Sequence, residues 1–452
     1  MIKDSYTTQT GAIMTSKELK KYHEKMELKC RKYQENISYF LGLNPPIFQP
    51  LPKSAPDNRI PIPYGTKALM QYGGYMGKVG TISYAGDYYE TVLKAIFDFN
   101  DEALITYSEL QEAMKHGTVY ELVWLDKNGS EVNFKDIPFD QGLPIYSDDL
   151  KKALTGFVWM REIENDEDEI YLATYWDQYN QEEWTKKEKD KDWTFVSTTP
   201  HAGQGIVPVN IGQINKDGTN LIEHVKSLID FVDKLFSTDV ANESERFSAA
   251  LLLFADRLDQ ITVDEQGLTF RDKLKEIGVI DGLGDDPVKK VQYLTRNIPT
   301  EFIKFAFETA DMLIHNNLPL IDASADKMGS DTAGVALEWK TWPFELRCAD
   351  IEAWFSRFLQ NRIYIISKML GNIKANGGEV TKVDIRFTRN LPRNVTEMVD
   401  NFVKVSPDGL SIETALKLLP ADIMEGGIME EVKRIKADMP DEVMPVKEVI
   451  NA

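Results

Sequence analysis

Apolar positions change their spacing several times along this chain, and each spacing predicts a different element. From Ser16 to about Gly42, KELKKYHEKMELKCRKYQENISYFLG predicts a charged helix that is polar around most of its circumference, and so either solvated, the favoured reading, or packed against a partner by a thin stripe. Seven prolines then fall within NPPIFQPLPKSAPDNRIPIP. Each removes a backbone donor and disfavours the helical basin before it, which predicts an extended arm. Lys67–Tyr72 and Asp87–Asn100 read as helices, the second with Val92, Leu93, Ile96 and Phe99 at three-to-four spacing. The period then drops towards two. TVYELVWLDKNGSEVNF predicts two strands joined at Asn128-Gly129, and FVWMREIE, IYLATYWD, QEEWTKKE and DWTFVST predict four more. Strands separated by short charged turns such as ENDEDE predict an antiparallel sheet with a few covering helices, an α+β domain.

Between Leu221 and Gln266 there is neither glycine nor proline. Ile222, Val225, Ile229, Val232, Phe236, Val240, Phe247, Leu251 and Phe254 recur at helical spacing with one break near Glu243, which predicts a rod of roughly 50 Å. Residues 257–297 predict a small insert: an ITV strand, a turn at Gln266-Gly267, a short helix, the loop DGLGDDP and a VKKVQYL strand. A second helix begins near Pro299, with Ile298, Phe302, Phe305 or Ala306, Leu313 and Leu318 along one face. After Leu320 the small, polar IDASADKMGSDTAG predicts a loop. A very long helix follows from about Gly334 to Leu370, kinked at Pro343, then a strand in TKVDIRFTRNLPRN, then short helices to about Asp438 and a polar tail.

Composition narrows the function. The chain has 452 residues, 42% apolar and 27% charged, which excludes wholesale disorder. Its 52 basic and 72 acidic residues leave a net charge of −20, against a surface that coats nucleic acid. Cys30 and Cys348 cannot build a disulfide framework or a four-ligand zinc site. The first residues lack the apolar core of a secretory signal, and no run approaches 18 apolar residues, so the reading is a soluble protein made in the cytoplasm. Catalytic motifs fail one by one. GGYMGKVG has Tyr72 and Val79 where a phosphate-binding loop needs glycine and a hydroxyl residue. The five histidines are scattered, and Asp230 with Asp233 reads as a solvated helix face. The tryptophans, including Trp339 and Trp342, read as core packing. No catalytic residue, metal site or cofactor is expected.

The order of these segments, from about Asn58 to Lys436, resembles the portal (head-to-tail connector) proteins of tailed bacteriophages, in the branch of long-tailed phages of Gram-positive bacteria. NRIPIPYGTKALMQYGGYMGKVGTISY is similar to that family's wing segment and HGTVYELVWLDKNG to its wing hairpin. GQGIVPVNIGQIN is similar to the strand before the stalk, and LIDFVDKLFSTDVANE to the first stem helix. TAGVALEWKTWPFE resembles the junction of tunnel loop and long helix, IRFTRNLPRN the return strand and SIETALKLLP the crown. The resemblance implies an α+β portal fold: a flexible arm at 1–16, a wing at 17–220 with a return strand at 374–395, stem helices at 221–256 and 298–321, a clip at 257–297, a tunnel loop at 322–333, a long kinked helix at 334–373, a helical crown at 396–438 and a tail at 439–452.

It further implies a non-enzymatic ring, usually of twelve subunits, at one capsid vertex of the virion. Such a ring passes double-stranded DNA without sequence specificity, docks the terminase large subunit and then a head-completion adaptor, and meets major capsid and scaffolding proteins. By the same resemblance, Asp322, Ser324, Asp326, Lys327, Met328, Gly329, Ser330 and Asp331 line the channel. Asp285, Asp286, Lys289 and Lys290 face partners at the clip. The stem helices carry more apolar stripe than two helices can bury alone, so Phe236 and Phe305 are expected to pack the stem at lateral interfaces between subunits. A ring-forming tail or baseplate adaptor that never handles DNA would share the symmetry and acidity, but it lacks the insert between two stalk helices.

Overall fold

The computed structural model describes residues 14–50, 57–126, 131–164, 169–242, 251–253, 291–293, 300–321, 334–372, 383–390, 416 and 432–434. Residues 1–389 and 390–452 form two compact units. In the second, Leu416 is buried and residues 432–434 are helical. The first mixes helices with antiparallel sheets as an α+β architecture.

Helix α1 (Ser16–Leu41) starts at a capping box. Thr15 Oγ1 accepts from the Glu18 N–H at 3.3 Å, and Glu18 Oε2 accepts from the Thr15 N–H at 3.1 Å. The helix is not left to solvent as expected. A thin stripe of Leu19 and Met26 packs, with Met14, onto Val158, Met160, Ala173, Tyr175 and Trp184, and Tyr39 and Phe40 join the central core. The stripe is sparse because the intervening polar side chains face water, which is why the sequence reads as solvated. Residues 14–16 are also tied down, correcting the end of the expected flexible arm: the Met14 N–H donates to Glu182 Oε2 at 3.1 Å, and Ser16 Oγ accepts from the Trp193 N–H at 2.9 Å.

After a short 3-10 turn at Pro45–Ile47, the chain enters α2 (Tyr64–Met76), then β1 (Ile82–Ala85), a π-helical turn at Tyr89–Leu93 and α3 (Lys94–Phe99). A further helix, α4 (Glu102–His116), has no counterpart in the sequence reading. Its buried face carries Glu102, Thr106 and Glu109 beside Leu110, Ala113 and Met114, so the apolar period is broken by carboxylates. Gly117 ends it at φ 81°, where an added Cβ would stand 2.2 Å from the Gly218 carbonyl oxygen. Only glycine lets these two turns touch.

The hairpin of β2 (Thr118–Leu125) and β3 (Val132–Ile137) pairs Leu125 with Val132, the register expected for a turn centred on residues 128 and 129. Then β4 (Gly142–Tyr146), β5 (Leu154–Glu164), β6 (Glu169–Trp176), β7 (Asn180–Lys187) and β8 (Thr194–Pro200) form a five-stranded antiparallel meander in chain order. Alternation sends Val158, Met160, Ala173 and Tyr175 towards α1. It sends Trp159, Arg161, Thr174, Trp176 and Gln181 to the other face, which lines a cleft of about 990 Å³ shared with β2 and β3. The strand β9 (Val209–Gln213) pairs on the other side of β2.

The apolar spacing predicts a helical rod over 221–256 with one break near Glu243; the helix does run to Asn242, but the structure corrects the part beyond the break. Helix α5 (Lys226–Lys234) passes into a π-helical stretch, Leu235–Asn242, and β10 (Leu251–Leu253) is extended, paired antiparallel with β11 (Val291–Tyr293). A run of three leucines fits a strand as well as a helix, because periodicity alone does not separate the two. Then come α6 (Thr300–Asn317), the long α7 (Gly334–Asn372) with Pro343 inside it, and β12 (Asp384–Phe387), which returns to pair with β1. The central core gathers α2, α4, α5, α6 and α7 around Tyr72, Leu110, Val232, Ile314, Ile351 and Phe355.

Candidate assembly surface

Helices α5 and α6 are held by polar staples as well as by apolar contact. Asp233 is fully buried, correcting its reading as part of a solvated face. Its carboxylate accepts from the Ile62 N–H at 2.8 Å and from Asn44 Nδ2. Burial raises its pKa, while these two donors favour the charged form. Ser237 Oγ accepts from the Ile60 N–H at 2.9 Å, so both ends of the proline-rich segment are fastened to the α5 region. Asp230 accepts from Tyr39 Oη and Asp311 from Tyr64 Oη, each at 2.8 Å.

The outward faces carry the unusual feature. Buried Ala310 and Ile314 mark the inner face of α6, whereas Phe302, Phe305 and Met312 lie on the other side, with Phe305 65% exposed. The two residues predicted to pack the stem therefore separate. Phe236 is half-buried and meets Phe307 edge to face at 5.0 Å within the same subunit, while Phe305 faces out. On α7, Phe344, Cys348, Ile351 and Phe355 face the core, and Trp339, Trp342 and Leu346 are exposed. The expectation that the tryptophans after Gly334 are core residues fails for Trp339, 71% exposed, and for Trp342. Their helical spacing is genuine, but it does not reveal which of two apolar faces meets the core.

Gln71 holds the chain leaving α6 from both sides. Its side-chain oxygen accepts from the Ile321 N–H at 2.9 Å and its amide donates to the Ile321 carbonyl at 2.7 Å. Tyr72 Oη donates to the Pro319 carbonyl at 2.5 Å. The anchored root at 318–321 thus precedes the expected channel loop. Asp322, Ser324, Asp326, Lys327, Met328, Gly329, Ser330 and Asp331 lie outside the described residues, as do Asp285, Asp286, Lys289 and Lys290.

A buried ion cluster has no counterpart in the sequence reading. Arg362 of α7 has no exposed side-chain surface and donates to Glu121 at 2.6 Å, to Glu102 at 3.0 Å, to Thr106 at 2.7 Å and to Glu109. Tyr84 Oη donates to Glu102 at 2.5 Å, and Asn210 Nδ2 to Glu121 at 2.9 Å. Burial, then the nearby Glu121, raises the Glu109 carboxyl well above its ordinary range. On Arg362 burial works against the charge, but Glu121 and Glu109 outweigh it. The cluster ties α7, α4, β2 and β9 together. Its one sequence signal is an arginine within the otherwise apolar run RIYII.

Among the described residues, no helix is long and apolar enough to cross a membrane. The family model described as phage portal protein, SPP1 Gp6-like, matches residues 19–442. A solved structure, the neck of an empty GTA particle computed with C6 symmetry, is similar over 79% of this chain and 90% of its own. It is 9% identical, with a TM-score of 0.39. No curated protein matches the chain.

Proposed function

The chain belongs to the SPP1 Gp6-like family of phage portal proteins, and from that premise we propose how its parts serve a portal. Membership makes it a ring-forming structural component of the virion, associated with capsid and tail. The finer reading is a ring of twelve subunits at one capsid vertex, synthesised in the host cytoplasm. It passes double-stranded DNA inward during packaging and outward at ejection. The terminase large subunit and later a head-completion adaptor dock at the insert between β10 and β11, where Asp285, Asp286, Lys289 and Lys290 supply the charged contacts. Residues 322–333 face the channel, with Lys327 the only cation among Asp322, Asp326 and Asp331.

The observation that carries this reading is the outer side of α6, whose exposed phenylalanines a neighbouring subunit would cover. The net charge of −20 supports the conduit: a channel must let a polyanion slide both ways, and a basic lining would hold it. Native mass spectrometry and negative-stain imaging of the purified full chain test the reading. Closed rings with a central opening are the expected result. A chain that stays monomeric at all concentrations, or assembles without an opening, would overturn it.

A further inference from the structure

This inference rests on the ring reading and specifies its contact. We infer that the Phe302–Phe305–Met312 face of α6 in one copy packs against the Trp339–Trp342–Leu346 face of α7 in the next copy. At about 100° per residue, each triplet falls within roughly 80° of its helix circumference, so each shares one side of its helix; on α6, Thr309 and Asn316 fall in the same arc. Each triplet points away from its own core: Ala310 and Ile314 occupy the buried side of α6, and Phe344, Cys348, Ile351 and Phe355 that of α7. Single exposed apolar residues need no explanation, but aligned groups of phenylalanine and tryptophan have the composition of interface centres.

Symmetry selects the occupant. A two-fold contact can use one self-complementary patch, whereas a closed ring larger than a dimer is built from heterologous contacts between two unlike surfaces of each subunit. Two unlike triplets on separate helices meet that requirement. The Trp339 and Trp342 rings have centroids 6.5 Å apart and planes inclined by 55°, so an incoming phenyl ring meets an indole face and edge together. DNA is the poorer occupant. On α6 the triplet is bordered by Glu301 and by a Lys304–Glu308 pair at 3.9 Å, which offers little net positive charge to phosphate.

The test uses the full-length chain carrying Phe305→Cys and Trp342→Cys, singly and together, oxidised after assembly and run on a non-reducing gel. The pairing predicts a ladder extending beyond dimers for the double variant and nothing above wild type for either single variant. In a second arm, Phe305→Glu and Trp342→Arg should each lower ring yield at least tenfold with unchanged circular dichroism, and the combined variant should recover part of it. Wild-type rings without the ladder would overturn the pairing while leaving the ring reading intact. Ring yield unaffected by Phe305→Glu would do the same, as would intact rings that lose only DNA retention, which would assign the face to the channel. A wild-type chain that forms no rings would remove the ring reading and the pairing together.

Discussion

Arg362 Nε donates a 2.6 Å hydrogen bond to Glu121 Oε1, and neither side chain reaches solvent. The pair joins the long α7 to the central strand of the three-stranded sheet, across 241 positions of sequence. Glu102 and Glu109 converge on the same guanidinium, so Arg362→Met would leave three carboxyl groups facing one another without a counter-ion. Stranding buried charge in this way costs about 3–5 kcal/mol. Urea denaturation should show that loss, and adding Glu109→Gln and Glu121→Gln should restore part of it. A single variant as stable as wild type would mean that the cluster contributes nothing to the fold.

Glu109 gives the protein a pH signature. Its folded pKa lies well above the unfolded value near 4.5, chiefly through burial. The folded state therefore binds the proton more tightly, and stability falls as pH rises from about 4.5 through the raised folded value. Glu109→Gln keeps an acceptor for Arg362 and removes the titration. Its denaturation midpoint should fall less steeply than wild type as pH rises above about 4.5, the raised Glu121 beside it keeping part of the decline, and identical slopes in both proteins would refute the assignment.

Lys29 titrates in the opposite sense. Its ammonium donates to Tyr120 Oη at 2.8 Å and lies 4.2 Å from the Tyr120 ring and 4.1 Å from that of Phe139. Desolvation lowers its pKa from 10.5 to about 7. Between pH 7 and 10.5 the unfolded chain binds more protons, so this group makes stability rise with pH across that window. Lys29→Met should abolish the rise, read as the difference between the two proteins' urea midpoints at pH 7 and pH 10.

The limits of legibility follow from the same residues. The strands from 154 to 200 are readable because one face needs apolar residues to meet α1, and alternation records that need. Helix α4 is not, because it turns carboxylates inward towards an arginine more than 200 residues away. β4 carries Pro144 and spans five residues, too few for a period to stand out. On α6 and α7 the sequence shows more apolar surface than a core could use, yet not its direction. Phe236 and Phe305 look equivalent until the fold turns one inward and the other out.

That division makes Phe236→Ala informative. The side chain is half-buried against Phe307, so truncation should cost about 1–2 kcal/mol, below the 3–5 kcal/mol of a fully buried phenylalanine. Differential scanning calorimetry of the unassembled chain should detect the loss. Phe305→Ala should leave that transition unmoved, since its ring is already 65% exposed before assembly. Equal losses in both variants would contradict the inward and outward assignment.

Gln71 connects the fold to the proposed channel. Its two hydrogen bonds to Ile321 fix the backbone immediately before residues 322–333. Gln71→Leu keeps the bulk and removes both bonds, a loss of about 1–3 kcal/mol by ordinary hydrogen-bond energetics. The cost should be local, because α2 and α6 keep their apolar contacts through Ala68, Tyr72 and Ile314. Hydrogen exchange should therefore accelerate at residues 318–321, while rings assemble at wild-type yield. If the loop holds DNA in the channel, these rings should also retain packaged DNA less well, as Lys327→Glu rings should. Faster exchange at the root with wild-type packaging and retention in both variants would separate the clamp, and the loop it positions, from the DNA path.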